Sequence, residues 1–241
     1  SRVNTRRIDL RNDLLFDKKQ RFDLIILGYS MNEIFENFEQ GEQLEWIRQF
    51  TSMLSQNGSI IMVEPAQKET CDTLQSISSL LSEQEELHIQ APYFNGKACP
   101  FLNAKNHFYS HEVRKIRSSN RVEKINGPLR LETHQVKFGL SILSRRKPIV
   151  FPKNSSYCRM VSPMRKKKGT LSFIGIGGDG LEYMYEIQRR NLLTTEVKIL
   201  TKLERGDILK IQKGEKGKDH KRIRIPSFQS ISCEFTTRWE R

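Results

Sequence analysis

Cysteine is scarce in this chain, and its spacing suits no common site. Cys71, Cys99, Cys158 and Cys233 are the four, and none forms a C-x-x-C pair. Neither a zinc knuckle nor a disulfide framework is predicted, and a reducing compartment fits better. No apolar run approaches the roughly 18–20 residues of a membrane span. No signal or transit peptide pattern is visible. The chain opens at Ser1 rather than Met, which leaves a removed or omitted presequence open. There is no P-loop, H-E-x-x-H or Ser-His-Asp elbow pattern. The five histidines are scattered. His107 and His111 stand four apart, as on one helix face, but no further ligand lies nearby, so packing or surface roles are expected.

Positive charge is plentiful. The 241 residues hold 41 Lys/Arg against 28 Asp/Glu, a net charge of +13. Residues 151–241 carry 20 basic and 10 acidic residues, so +10 of that charge lies in the last third. Such asymmetry points to a polyanionic partner, RNA first among them. The densest run is Arg165-Lys166-Lys167-Lys168, just before Gly169. As a solvated loop it would do nothing specific. As a phosphate clamp it would give salt-dependent affinity with little sequence readout. Lys153, Arg159, Lys213, Lys216, Lys218, Lys221, Arg222 and Arg224 join it as candidate RNA contacts.

Apolar periodicity supplies the architecture. Residues 22–28 and 59–65 are short apolar runs. Between them Leu44, Ile47, Phe50, Met53 and Leu54 recur at helical spacing, and Asn57-Gly58 is expected to stop that helix. Strand, helix and strand make a βαβ crossover with parallel, central strands. Tyr29, Asn32, Glu33 and Glu64 would then stand at the carboxyl edge of the sheet, where open α/β sheets bind ligands. Their other role would be helix capping and sheet-edge hydrogen bonding. A second helix is expected over 66–86, a short strand over 88–92, a basic helix or helix-plus-turn over 107–124 and a closing strand over 135–143. Arg145-Arg146-Lys147-Pro148 reads as a boundary between an α/β unit, 1–150, and a basic β unit, 151–241. Strands are predicted at 157–161, 169–176, 181–187, 197–200 and 208–211, with a last one at 230–235. Together they suggest a small OB-like barrel. Gly177-Gly178-Asp179-Gly180 reads as a hairpin turn rather than a nucleotide loop, because no helical pattern follows it. Residues 213–224 read as a mobile basic loop.

Several short motifs occur in order over about residues 20–210. They are Phe22-Asp23-Leu24-Ile25, then Tyr29-x-Met31-x-Glu33-Ile34, Val63-Glu64-Pro65, Ala91-Pro92, Cys99-Pro100-Phe101 and His107-Phe108. Lys137-Phe138, Arg159-Met160-Val161-x-Pro163, Arg165-Lys166, Lys168-Gly169 and Gly206-Asp207 follow. The set resembles the methyltransferase-like assembly factors of the mitochondrial small ribosomal subunit, a family with bacterial relatives. The resemblance implies a Rossmann-like class I methyltransferase sheet followed by a small β-rich domain that helps hold ribosomal RNA. It implies S-adenosylmethionine binding in complete members and, in many, an iron–sulfur cluster on four cysteines. This chain departs from that pattern twice. Residues 1–20 hold no Gly-rich cofactor loop, so the sheet begins at what would be its fourth strand, and a further segment or another chain is expected to complete it. Tyr93 and Asn106 stand where cluster-bearing members have cysteine, so no cluster is expected, and packing by Lys, Tyr and Asn would staple the 90–110 loop instead. The expected function is RNA binding in small-subunit assembly or structure without catalysis, with ribosomal RNA and small-subunit proteins as partners. The mitochondrial matrix is the expected place, with the bacterial cytoplasm as alternative. An active S-adenosylmethionine-dependent RNA methyltransferase is the competing reading, and a generic RNA-binding barrel on an inert scaffold is a third.

Overall fold

The computed structural model describes residues 3–5, 7–11, 19–84, 87–93, 96–102, 108–116, 118–129, 135–148, 156–217 and 221–236. The chain first lays down β1 (Phe22–Gly28), the one-turn helix α1 (Met31–Ile34), α2 (Gln40–Thr51), β2 (Leu54–Pro65) and α3 (Lys68–Gln84). After these come β3 (His88–Ala91), β4 (Glu112–Lys115), α4 (Asn120–Asn126) and β5 (Gln135–Ser144). The strands form one sheet in the order β1-β2-β5-β3, with β4 also on β5. β1 and β2 are parallel, as the crossover pattern requires, and β5 runs against both β2 and β3.

Periodicity decides which faces are buried. Leu44, Ile47 and Phe50 of α2 and Leu74, Ile77 and Leu81 of α3 share one core with Leu27, Ile60, Met62, Leu143 and Ile89 of the strands. The register pairs Leu27 with Met62 and Ile60 with Leu143, so these side chains lie on one face, and both helices cover that face. Each such fully buried aliphatic side chain contributes about 1.5–3 kcal/mol. Gly139 lets α3 come close, since a Cβ there would lie 2.9 Å from Cys71 Sγ. The opposite face carries Leu24, Ile26, Ile61, Val63, Leu140 and Ile142. It is the barer one: Leu24 is 51% and Ile26 62% exposed. Among the described residues β1 pairs only with β2, which leaves its outer edge open.

The second sheet is built from β6 (Tyr157–Met160), β7 (Arg165–Lys167), β8 (Thr170–Gly177), β9 (Glu182–Gln188), β10 (Ile208–Ile211), β11 (Glu215–Lys216), β12 (Arg222–Ile225) and β13 (Ile231–Phe235), with α5 (Thr194–Leu200) between β9 and β10. The strand order is β11-β12-β9-β8-β6-β10-β13, and β7 pairs with β8. Ile225 of β12 and Ile231 of β13, near opposite ends of that order, meet one core with Leu171, Phe173, Tyr185 and Leu209. The sheet therefore curls round its own interior. Its two ends are not paired with each other among the described residues, so an open, curled sheet stands where a small OB-like barrel was expected.

Four further expectations need correction. Residues 197–200 belong to helix α5, whose first turn is fixed by Glu196 accepting the Leu193 N–H at 2.8 Å. Asn57-Gly58 does not end α2, which stops at Thr51; both residues lie inside β2. A Cβ at Gly58 would lie 2.8 Å from Phe22 O, so the glycine permits the close approach of two strands where their register shifts. Within 107–124 the chain forms strand β4 before the short helix α4. Within 213–224, β11 and β12 extend the second sheet, where a loop was expected. The Gly177–Gly180 turn does join antiparallel β8 and β9, with Asp179 Oδ1 accepting from Leu181 N–H at 3.0 Å.

Candidate nucleic-acid interface

The carboxyl edge of the first sheet is occupied by capping. Glu64, fully buried at the end of β2, accepts backbone N–H bonds from Ser30, Met31 and Asn32 at 3.1, 2.9 and 3.3 Å. A carboxylate there satisfies the free amides at the start of α1. Asn32 Oδ1 accepts from the Thr70 hydroxyl at 2.9 Å. Both Asn32 and Glu64 line a cleft of about 150 Å³ beside α1 and α3; Tyr29 and Glu33 do not. Tyr29 is exposed with φ 56°, and its N–H reaches Val63 O at 2.8 Å. Glu33 is exposed, and its carbonyl accepts from Arg11 at 3.3 Å. Four candidate residues thus split into two cleft-lining groups already engaged and two outside. Both Glu64 oxygens thus already accept backbone N–H bonds, and the side chain is committed to capping α1. Replacing Glu64 by alanine would leave three backbone donors without their acceptor. Thermal unfolding should show a loss of about 2–3 kcal/mol, and Glu64→Gln, which keeps an acceptor, should lose less.

The chain leaves the first sheet after β3 and returns at β4, and described residues between them pack on the second sheet. Tyr93, Cys99 and Phe101 form a small core with Ile176 of β8. The Tyr93 phenol donates to Ser110 Oγ at 2.9 Å and lies 3.4 Å from Cys99 Sγ. Burial pushes both the Tyr93 phenol and the Cys99 thiol up, so both stay protonated at neutral pH. Tyr93 is thus held by its ring and its phenol within this small core; Asn106 lies outside the described residues. Among the described residues no group of three or more His, Cys, Asp or Glu converges as a metal site.

Beside this core runs a set of polar contacts that sequence reading missed. Glu112, at the start of β4, binds Arg159 of β6 and, at 2.7 Å, Arg114. Arg159 also donates to Gly206 O at 3.2 Å. Arg114 reaches Arg205 O at 3.3 Å, Arg205 reaches His111 O at 2.9 Å and Lys115 binds Glu204 at 2.6 Å. Burial alone would raise the Glu112 carboxyl, but Arg159 and Arg114 more than offset it and hold the group below its usual range. Arg159 was a candidate phosphate contact. It is 8% exposed and committed to Glu112, so its place is in the seam rather than on the surface.

The remaining basic candidates sit on the second sheet. Arg165, Lys166, Lys167 and Lys168 are all exposed, the first three on β7. None of the four forms an ion pair with a described residue. Opposed residues in a sheet share a face, so Arg165, Ser172, Glu186 and Arg224 form one row across β7, β8, β9 and β12. Lys167 opposes Thr170, and Arg222 opposes Met184, on that same face. Lys216 lies over the Tyr183 ring at 5.3 Å. Lys213 is exposed at a turn with φ 54°, and Lys221 is exposed beside Glu182. Lys153 and Lys218 lie outside the described residues.

Where β7 approaches the seam, a cleft of about 130 Å³ opens, lined by Phe101, Phe108, Tyr109, His111, Arg165 and Glu182 among others. Tyr109 and His111 rings sit 4.7 Å apart at 33°. Burial, helped by Arg205, lowers the His111 pKa and keeps the imidazole neutral at pH 7. Burial raises the Glu182 carboxyl, and Lys221 works against that. The aromatic cluster Phe108-Tyr109-Ser110-His111, with Arg114 and Lys115 just after it, was the available sequence signal for this cleft.

No family model matches the chain. No curated protein matches it either. Among solved structures it is similar to the plantazolicin methyltransferase BpumL in complex with SAH, at 11% identity and a TM-score of 0.28, over 58% of this chain. The chain spans about 57% of the length of that structure.

Proposed function

We propose that this chain binds ribosomal RNA as a methyltransferase-like protein of small ribosomal subunit assembly or structure, and that it does so without catalysis of its own. The observation that carries the reading is the β7 strip: four consecutive exposed cations, free of ion pairs with described residues, beside an aromatic cleft. A run of cations that the fold does not use for itself is suited to phosphates. The parallel β1–β2 pair and its helical crossover fit the later strands of a Rossmann-like methyltransferase sheet. The capping role of Glu64 supports the non-catalytic part, because it occupies the carboxylate nearest the expected pocket. The partners are ribosomal RNA and small-subunit proteins, in the mitochondrial matrix or, alternatively, the bacterial cytoplasm. Crosslinking the protein to RNA in its own cells and sequencing the RNA tests this. Small-subunit ribosomal RNA should be the enriched species; a pool without it would reject the ribosomal reading.

One observation favours a second reading, an S-adenosylmethionine-dependent RNA methyltransferase. The bare apolar face at Leu24 and Ile26 and the open edge of β1 suit further strands and helices from another segment or chain, and a cofactor loop belongs to such a part. Calorimetry with S-adenosylmethionine separates the two readings. Heat of binding from the complete gene product, but not from residues 1–241, would favour the enzyme; no binding by either leaves the sheet as a scaffold.

A further inference from the structure

We infer that the cleft beside β7, where the chain between β3 and β4 packs on the second sheet, seats one unpaired nucleobase of a single-stranded RNA whose phosphates run along β7. The inference rests on the RNA-binding reading above and adds which RNA is bound and how.

Phe108 is the first observation. The fold leaves this ring 50% exposed, at the wall of a cleft whose other aromatic groups are Phe101, Tyr109 and His111. Base–aromatic stacking needs an open π face beside a groove that tracks the backbone. Phe108 offers the face, and the neutral His111 ring adds an uncharged one beside Arg165 and Arg205. Arg165 is the second observation, because it belongs both to the cleft lining and to the β7 strip. Arg165 and Lys167 point to the same side of β7 and stand about 6.5 Å apart along it. Each can therefore meet a different phosphate of a strand whose base enters the cleft. Glu182 is the third. Its carboxylate, at the cleft wall, accepts hydrogen bonds from the amino or imino N–H groups of a base edge, and those edges are free only when the base is unpaired. The cleft, of about 130 Å³, has room for a single ring system. Duplex RNA keeps its bases stacked inside and is held through phosphates and 2′-hydroxyls, so it meets β7 but not the cleft.

The test compares the full chain with Phe108→Ala for binding to a fluorescein-labelled single-stranded RNA and to a hairpin duplex of the same length, across a salt series. Phe108→Ala is expected to weaken single-strand binding about tenfold or more, to leave duplex binding unchanged and to keep the salt slope. A single strand with 2-aminopurine at one position should change its fluorescence on binding the wild type and change it less on binding the variant. Lys166→Ala with Lys167→Ala is expected to weaken both RNAs and flatten both salt slopes. Phe108→Ala with unchanged single-strand affinity, or with equal losses on both RNAs, would overturn the cleft while leaving RNA binding in place. A wild-type chain that binds neither RNA would overturn the RNA reading and the cleft with it. The ring is half exposed, so the variant folds, and circular dichroism checks that it does.

Discussion

Glu112→Ala is expected to destabilise the folded chain by about 3–5 kcal/mol and to loosen the second sheet from the first. Glu112 is 4% exposed and Arg159 8%, so deletion of the carboxylate strands a guanidinium where water does not replace it. Arg114 loses its carboxylate partner in the same step and keeps only carbonyl contacts. Lys115→Ala is the control: its side chain is 68% exposed, and loss of its pair with Glu204 should cost no more than about 1 kcal/mol. Urea unfolding followed by circular dichroism reads both. Replacing the buried pair together, Glu112→Leu with Arg159→Met, should recover much of the loss, because the desolvation of two charges disappears along with their attraction. The same pair sets an acid limit. The folded Glu112 carboxyl lies below its ordinary value of 4.5, so its stabilisation is fully present above that pH. It is lost as pH falls through the lower, folded value. An acid titration of stability in wild type and Glu112→Gln should show this loss only in the wild type.

That pair also marks the limit of what the sequence can tell. Strand β1, helix α2, the 59–65 part of strand β2 and helix α3 were legible because one pattern governs each: mostly apolar runs for the strands, and Leu74, Ile77 and Leu81 on one turn-spaced stripe for α3. The first half of β2, from Leu54, was not, since Leu54 was expected to belong to the helix. Helix α5 was not. Val197-Lys198-Ile199-Leu200 alternates and is β-branched, yet the signal that decided it lay upstream, in Glu196 folding back on the Leu193 amide. Asn57-Gly58 carried turn chemistry, but the glycine answers to a contact with the neighbouring strand at Phe22, 36 positions earlier. Arg159 was legible only as charge. Its neighbours Cys158 and Met160 are both fully buried, and a cation inside an apolar strand is a sign of a buried partner. The partner, Glu112, is 47 residues away, and nothing local names it. The carboxyl-edge candidates fared in the same way. Glu64 was correctly placed at the end of a strand, but which of its two readings applied depended on the path of the chain through Ser30, Met31 and Asn32.

Removing the β7 strip should have the largest effect on RNA binding. For the chain with Arg165, Lys166, Lys167 and Lys168 all changed to alanine, affinity for single-stranded RNA at 0.1 M salt is expected to fall by about 10²–10³-fold. Each phosphate contact on a single strand contributes about 0.7 to the slope of log affinity against log salt, so the variant's slope should be shallower by about 3. The four side chains are exposed and make no ion pair with a described residue, so the fold should keep its melting temperature, which separates this loss from unfolding. Losses should be similar across RNA sequences, because phosphate contacts position a strand and do not read it. Filter binding over a salt series checks slope and affinity together. Alanines that leave both unchanged would make the run a solvated strand with no part in RNA binding, and the charge of the last third would then have to act through Arg222, Arg224 and their neighbours. A change in affinity without a change in slope would mean that the contacts are not to phosphates, because counterion release is the one contribution that must register in the slope.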